Sequence, residues 1–249
     1  MVLLVVTRDK NQKIPIFLQN IKNKEVIWKN NLTRKNLKDK KLIITLGGDG
    51  TFLSATHFID NQPILGVNDN PSRSEGHLTT TTLDKLERKL TQIKNRKFKI
   101  KEYTREKVKI YKKDCCILTE YTLNETYLGN INPHHPSNYE IQFKNKKEHQ
   151  RSSGVLITTG TGSTAWYKAM SGRKYKKTKP QLRFKIRELF AGRLFKPKIK
   201  KGKISSNEKL ILISKMNHGI LAIDSIRTYE IHEGDKIEIS IGKPLRVIQ

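Results

Sequence analysis

Five residues, Gly47-Gly48-Asp49-Gly50-Thr51, follow the apolar run Leu42-Ile43-Ile44-Thr45-Leu46 and precede Phe52-Leu53-Ser54-Ala55-Thr56-His57-Phe58-Ile59, whose pattern is helical. A strand-to-helix turn of this composition can hold phosphates. Its three glycines lack Cβ atoms, so backbone N–H groups can approach a polyphosphate closely, and the helix behind them adds the positive end of its dipole. Asp49 is ill suited to touch phosphate, because its charge repels the ligand. It suits a base, acting directly or through a metal ion, beside a hydroxyl that attacks a phosphoryl group. For a bare Gly-Asp-Gly the plainer reading is a tight turn in which Asp49 caps the helix; three segments further along the chain weigh against it.

In Thr122-Leu123-Asn124-Glu125-Thr126 an amide and a carboxylate stand side by side after an apolar run. Such a pair can hydrogen-bond ribose hydroxyls or an adenine amine, although for the dipeptide alone an Asn-Glu turn is the favoured reading. The stretch from Arg151 to Trp166 is another strand followed by glycine and hydroxyl residues and then a helix signal. Gly160, Gly162 and Ala165 formally match the dinucleotide pattern G-x-G-x-x-A, but no second parallel strand ending in an acid follows at the usual distance, so the match is weak. Gly219-Ile220-Leu221-Ala222-Ile223-Asp224 reads as a strand that delivers one acid at its end, an acid that reads equally as a turn aspartate.

The elements that must position these residues change character along the chain. Strand and helix signals alternate at first: Val2 to Val6, a helical Ile14 to Lys22, Leu42 to Leu46, a helix from Thr51, the strand Pro63 to Val67, and Leu83, Leu86, Leu90 and Ile93 at helical spacing. That rhythm predicts a parallel sheet flanked by helices. From about Phe98 onward short alternating runs dominate, among them Glu106 to Tyr111, Tyr139 to Phe143, Lys209 to Ile213 and Lys236 to Ile241, separated by Asn, Gly and Pro turns. The expected organisation is therefore an N-terminal parallel-sheet α/β domain over residues 1–97 and a mostly β C-terminal domain over 98–249, with the final segment able to return to the first domain.

A chain of 249 residues with 35% hydrophobic content can bury one large core or two moderate ones. No run approaches the ~20 apolar residues of a transmembrane helix, and the start lacks the basic region and cleavage site of a signal peptide. The default expectation is a soluble cytoplasmic protein. Cys115 and Cys116 are adjacent and so project to opposite faces of a strand, which suits neither a disulfide nor a metal site and predicts packing roles. The net charge of +27 raises nucleic acid as a partner. Against it, the lysines are spread along the whole chain, aromatic residues make up only 7%, and no interleaved basic and aromatic motif is present. The exception is the dense segment 173–203, where the charge can matter to a phosphorylated ligand or a neighbouring subunit.

Together these segments resemble the NAD kinase family over nearly the whole chain, from Gly47 to Ile241. The glycine run matches Gly47 to Thr51, the family's Asn-Glu/Asp pair matches Asn124-Glu125, and its Arg-Ser-Asp-Gly…Thr-Gly-Ser-Thr-Ala-Tyr stretch matches Arg151 through Trp166. The run from Gly66-Val67-Asn68-Asp69-Asn70-Pro71 through Leu78, Ser152-Ser153-Gly154, and Gly160-Thr161-Gly162 followed by Trp166 look most like the mitochondrial type. The resemblance implies transfer of the γ-phosphoryl group of ATP, or of a polyphosphate end, to the 2′-hydroxyl of the adenosine ribose of NAD. It implies Asp49 as the base, with Gly48, Gly50 and Thr51 cradling phosphates alongside Mg²⁺ or another divalent cation; no residue is singled out as a metal ligand. Asn124 and Glu125 would hold adenosine, Thr161, Gly162, Ser163, Thr164, Ala165 and Trp166 would line the nucleotide cleft, Arg151 would face a phosphate, and Ser153 and Asp224, the latter matching the family's acid near the end of the β domain, would complete the site. A homo-oligomer, dimer or tetramer, is the family expectation. The chain departs from the pattern at Ser153 (usually Asp), at Ser225-Ile226 after Asp224 (usually Gly-Gln), at Ser54 (often basic) and at Trp166 (usually Tyr). Diacylglycerol- and sphingosine-type lipid kinases share the glycine run and are the alternative enzyme reading; a basic nucleic-acid binder is the alternative of another class.

Overall fold

The computed structural model describes residues 2–249, which divide into two compact units. The first reaches Glu102 and includes Leu245–Gln249. Its sheet runs in the order Lys24–Trp28, Leu3–Thr7, Leu42–Leu46, Ile64–Asn68, Leu245–Ile248, Ile100–Tyr103, with the short Thr81–Thr82 also on Ile64–Asn68. The four pairings from Lys24–Trp28 to Leu245–Ile248 are parallel. Leu3–Thr7, Leu42–Leu46 and Ile64–Asn68 are buried at every residue, as expected of strands covered on both faces. The helix Leu83–Lys94 buries Leu86 and Ile93 and packs Leu83 and Leu90 on the same core.

Two details depart from the expected elements. The helix anticipated over Ile14 to Lys22 is a single turn, Ile16–Gln19, begun by Pro15, and Ile16 stands 75% exposed. Only Leu18 of that turn is buried, so the turn has almost no apolar face to extend it. The strand Ile100–Tyr103 lies past the change of pattern near residue 97 yet pairs into this first sheet.

The second unit, Tyr103–Pro244, holds two six-stranded antiparallel sheets. One runs Lys146–Ser152, Ser137–Phe143, Lys209–Ser214, Lys236–Ile241, Glu106–Lys112, Cys115–Thr122; the other runs Lys201–Ile204, Leu182–Ile186, Val155–Thr158, Glu125–Asn130, Gly219–Ile223, Arg227–Ile231. Inward residues of both, such as Val108, Ile141, Leu212 and Ile239 from one and Leu128, Ile157, Phe184 and Leu221 from the other, form one buried cluster. Cys115 and Cys116 are exposed free thiols. They open a strand whose first three residues all lie outside the core, so the packing role expected of them is corrected.

Candidate active site

The anticipated residues fall into two groups, one in each unit. In the first unit, Gly48 is the N-cap of the helix Asp49–Thr56, which begins where the strand Leu42–Leu46 ends. Gly47 adopts φ +150°, and a Cβ there would lie 2.4 Å from Thr51 Oγ1, so the turn requires glycine. At Gly48 a Cβ would meet Ser74 Oγ at 2.7 Å; around Gly50 there is open space.

Asp49 does not cap its own helix. Its Oδ1 accepts the Leu78 backbone N–H at 2.8 Å and its Oδ2 accepts that of His77 at 3.0 Å. Two directional bonds fix the carboxylate while leaving about half of its roughly four lone-pair positions available. No cation pairs with Asp49 among the described residues. Arg8 instead pairs with Asp69 at 3.2 Å, and Gln12 donates to the same Asp69 oxygen at 2.9 Å. Around this turn lies a cavity of about 330 Å³, lined by Gly48, Asp49, Gly50, Thr51, Asp69 and the cations Arg8, Lys29 and Arg73. It sits at the carboxyl ends of the parallel strands, where α/β sheets bind ligands.

In the second unit the remaining residues build a connected knot. The Asp224 carboxylate accepts backbone N–H groups of Leu123, Asn124 and Glu125, at 3.0, 2.6 and 3.3 Å. Both Asp224 and Ser225 lie in the left-handed region, with φ 52° and 54°, a geometry that turns the carboxylate back on the Asn124 turn. Asp224 is thereby a positioning residue, 3% exposed. The Asn124 carbonyl in turn accepts Thr159 N–H at 3.0 Å, and Thr159 Oγ1 donates to Leu123 O while accepting Thr161 N–H at 3.0 Å. A Cβ on Gly162 would stand 2.2 Å from Asn124 O, so the two motifs meet backbone to backbone.

The Thr161 to Ala165 turn is closed by Ser163, whose Oγ donates to Gly160 O at 2.7 Å and accepts Tyr175 N–H at 3.1 Å. Thr164 Oγ1 donates to Thr161 O at 3.2 Å, and Ala165 is exposed. Thr161 Oγ1 is buried without a hydrogen-bond partner among the described residues. The preceding strand Val155–Thr158 is antiparallel to both neighbours, which confirms that the G-x-G-x-x-A match is not a Rossmann unit. Trp166 packs on Tyr127 with ring centroids 5.0 Å apart, and Arg187 covers both rings. Tyr127 Oη donates to Ser153 O at 2.6 Å, which places Ser153 beside this aromatic pair. Arg151 is exposed, its guanidinium 5.4 Å from the Phe190 ring centroid.

Three acids share this interior. Burial pushes Glu125 up to about 8, and the charge of Asp224 adds to the shift. Burial raises Asp224 to about 6, against the pull of the three N–H groups it accepts. Glu106, fully buried, lies well above the usual carboxylate range because of desolvation; the Thr126 hydroxyl, donating to Oε2 at 2.6 Å, opposes this, and the two neighbouring acids reinforce it. Glu106 Oε1 and Glu125 Oε2 are buried with no hydrogen-bond partner among the described residues. Sequence reasoning missed Glu106, yet the alternation Glu106, Val108, Ile110 already placed it on the inward face. It also missed Arg8, the residue immediately after the first parallel strand, and the amides of His77 and Leu78, which no side-chain pattern reveals.

Residues 5–98 match the ATP-NAD kinase N-terminal domain. The chain is 29% identical over 261 residues to the NADH kinase of Arabidopsis thaliana, covering 92% of this chain and 80% of that one. Among solved structures, yeast NADH kinase complexed with NADH superposes with a TM-score of 0.77 at 18% identity, covering 98% of this chain and 73% of that one. An NAD kinase from Archaeoglobus fulgidus in complex with ATP gives 0.76 at 18% identity, covering 100% and 94%. These two likenesses establish a shared fold. The family domain is matched over residues 5–98, at the glycine turn, and the likeness to NADH kinase continues along the chain, so the chain is similar to NAD(H) kinases.

Proposed function

We propose that the chain transfers the γ-phosphoryl group of ATP to the 2′-hydroxyl of the adenosine ribose of NAD, giving NADP. The observation that carries the reading is Asp49, fixed by two backbone amides in a glycine turn beside a cavity that also holds three cations. In the proposed step the ribose O–H proton passes to Asp49, the oxygen bonds to the γ-phosphorus, and the bond to the β–γ bridging oxygen breaks to release ADP. Gly48, Gly50 and Thr51 would offer amides and a hydroxyl to the phosphates, a role supported by the open space around Gly50. Asn124 and Glu125 would hold the adenosine. Glu125 supports this as a buried carboxyl with an oxygen lacking a hydrogen-bond partner among the described residues, able to donate when protonated. Thr161 to Trp166 would line the nucleotide cleft, with Arg151 and Ser153 at its margin.

Mg²⁺ fits the donor set. This ion binds through one or two carboxylates plus substrate phosphates, not through an all-protein cage. Asp49 and Asp69 line the phosphate-sized cavity, and no cluster of three ligating side chains occurs among the described residues. The ion would neutralise charge on the transferring phosphate. Cytoplasmic placement and a homo-oligomer built through the β unit belong to the same proposal. No helix is long and apolar enough to cross a membrane among the described residues. The lipid-kinase alternative is not favoured, since the likeness beyond the glycine run is to NAD(H) kinases.

The test is phosphate transfer from ATP, with Mg²⁺, to NAD, NADH, diacylglycerol and sphingosine in parallel, each product resolved chromatographically. Phosphorylation of NAD or NADH alone is expected. Transfer to a lipid alone refutes the proposal.

A further inference from the structure

The basic segment 173–203 folds into something more specific than a solvated lysine surface. Leu182–Ile186 and Lys201–Ile204 are antiparallel neighbours whose register sets Arg183 opposite Lys203 and Lys185 opposite Lys201. Leu182, Phe184, Ile186 and Ile204 point into the core, so these four cations share the outer face. Directly opposed like charges destabilise a strand pair, and here two such pairs stand in adjacent rows. No carboxylate lines the cavity of about 690 Å³ that they form with Arg173, Tyr167 and Ser171. None of the five cations has an ion-pair partner among the described residues.

Two of them are held in place. The Arg183 guanidinium lies 4.2 Å from the Tyr175 ring centroid and donates through Nη1 to Arg173 O at 2.9 Å, while its buried Nε has no hydrogen-bond partner among the described residues. Lys185 Nζ donates to Met170 O. An uncompensated group of cations in a concavity, two of them held in place, is arranged for an anion. Four cations spread over about 5 Å across strands and about 7 Å along them carry more positive charge than one phosphate can neutralise, and suit a chain of several.

We propose that this face binds a short oligophosphate, either an inorganic polyphosphate chain or the phosphate tail of a nucleotide. The residues of this face are not those of the Asp49 turn, and the proposal does not depend on the reading given to that residue.

The full chain is titrated calorimetrically with tripolyphosphate, orthophosphate, ATP and a short single-stranded oligonucleotide at about 0.15 M salt. The titrations are repeated on Lys201→Gln/Lys203→Gln and on Arg183→Gln. Tripolyphosphate is expected to bind at least about tenfold tighter than orthophosphate, and to weaken about tenfold or more for each cation removed. The double lysine variant should unfold at the same or a higher temperature and retain full NADP formation, which keeps the test valid if Arg183→Gln folds poorly. Loss of one of two ATP sites in that variant supports a nucleotide tail, and unchanged ATP binding supports the inorganic chain. Equal tripolyphosphate affinity in wild type and variants overturns the site, as does no binding at that salt. An oligonucleotide that binds more tightly and is lost in parallel overturns the ligand class.

Discussion

Substituting Asp49 by Asn separates its chemistry from its place in the fold. Asn keeps the shape, and its carbonyl oxygen can still accept the Leu78 N–H now at 2.8 Å. The amide nitrogen then faces the His77 N–H, donor against donor, where Oδ2 accepted at 3.0 Å. Residue 77 is exposed, so water can satisfy the released N–H and the cost should stay near the value of one charge-assisted bond, about 1–2 kcal/mol. For a chain of this size that is a fall of about 2–8 °C in Tm. Loss of the base is a different magnitude. It should lower kcat by about 10²–10⁴, or about 3–5 kcal/mol in the barrier, with the larger figure if the carboxylate also shares a metal. Thermal unfolding and kcat for NADP formation are measured on the same preparation, with KM for NAD as a further readout. A variant that stays folded and turns over within about tenfold of wild type refutes the assignment of Asp49 as the base. So would a loss of activity that only tracks the unfolded fraction.

Glu125 and Asp224 are expected to make stability depend on pH. Their folded values, about 8 and about 6, lie above their unfolded ones, so the native state holds protons that the unfolded chain releases. Their contribution is complete below pH ~4 and declines as pH rises toward 8, by up to about 1.4 kcal/mol per pH unit for each proton. Tm measured from pH 5 to 8.5 should therefore fall, and Glu125→Gln should flatten the slope; an unchanged slope contradicts the burial argument. Gly162→Ala should cost about 1–3 kcal/mol and raise KM for NAD, because its Cβ would meet the Asn124 carbonyl at 2.2 Å and backbone must move. Unaltered kinetics in that variant would show that the Asn124 turn does not contact the dinucleotide. Lys113 and Asp114 form the two-residue hairpin between Glu106–Lys112 and Cys115–Thr122 with φ 46° and 63°. Replacing them by Asn and Gly should raise stability by about 1 kcal/mol without changing turnover, since both residues favour that turn and the exposed Lys236–Asp114 pair at 3.4 Å contributes little.

The fold was legible where burial is two-sided or strictly alternating. Leu42 to Leu46 reads as a strand because every residue is apolar or Thr, and Leu83 to Ile93 reads as a helix because four apolar residues recur at its period. Local pattern failed where tertiary contact decides. Cys115 and Cys116 are apolar by type, yet they sit beside a hairpin turn with no core to meet, and Ile16 is apolar on a turn too short to bury it. Arg105 is the opposite case, fully buried despite its charge, with the Tyr121 ring centroid 4.6 Å from its guanidinium and Lys243 O accepting from Nε at 2.9 Å.

The candidate site divides along the same line. Motifs locate residues that need a special backbone, because glycine and hydroxyl types are dictated locally: Gly47 by its φ, Gly162 by the approach of Asn124 O, Ser163 by its two backbone partners. What a carboxylate does there is not local. Asp49, Asp224 and Glu106 are each one acid in a short motif, and the structure gives them three different tasks. Asp49 is held from outside by amides distant in sequence and keeps lone pairs free, Asp224 is occupied by the turn it shapes, and Glu106 is sealed inside with one oxygen unmatched. The difference lies in which N–H groups reach each carboxylate and how much water remains, and both are set by residues distant in the chain. For that reason the same residue type can serve as base, as scaffold or as buried acid, and only partners and solvent access tell them apart.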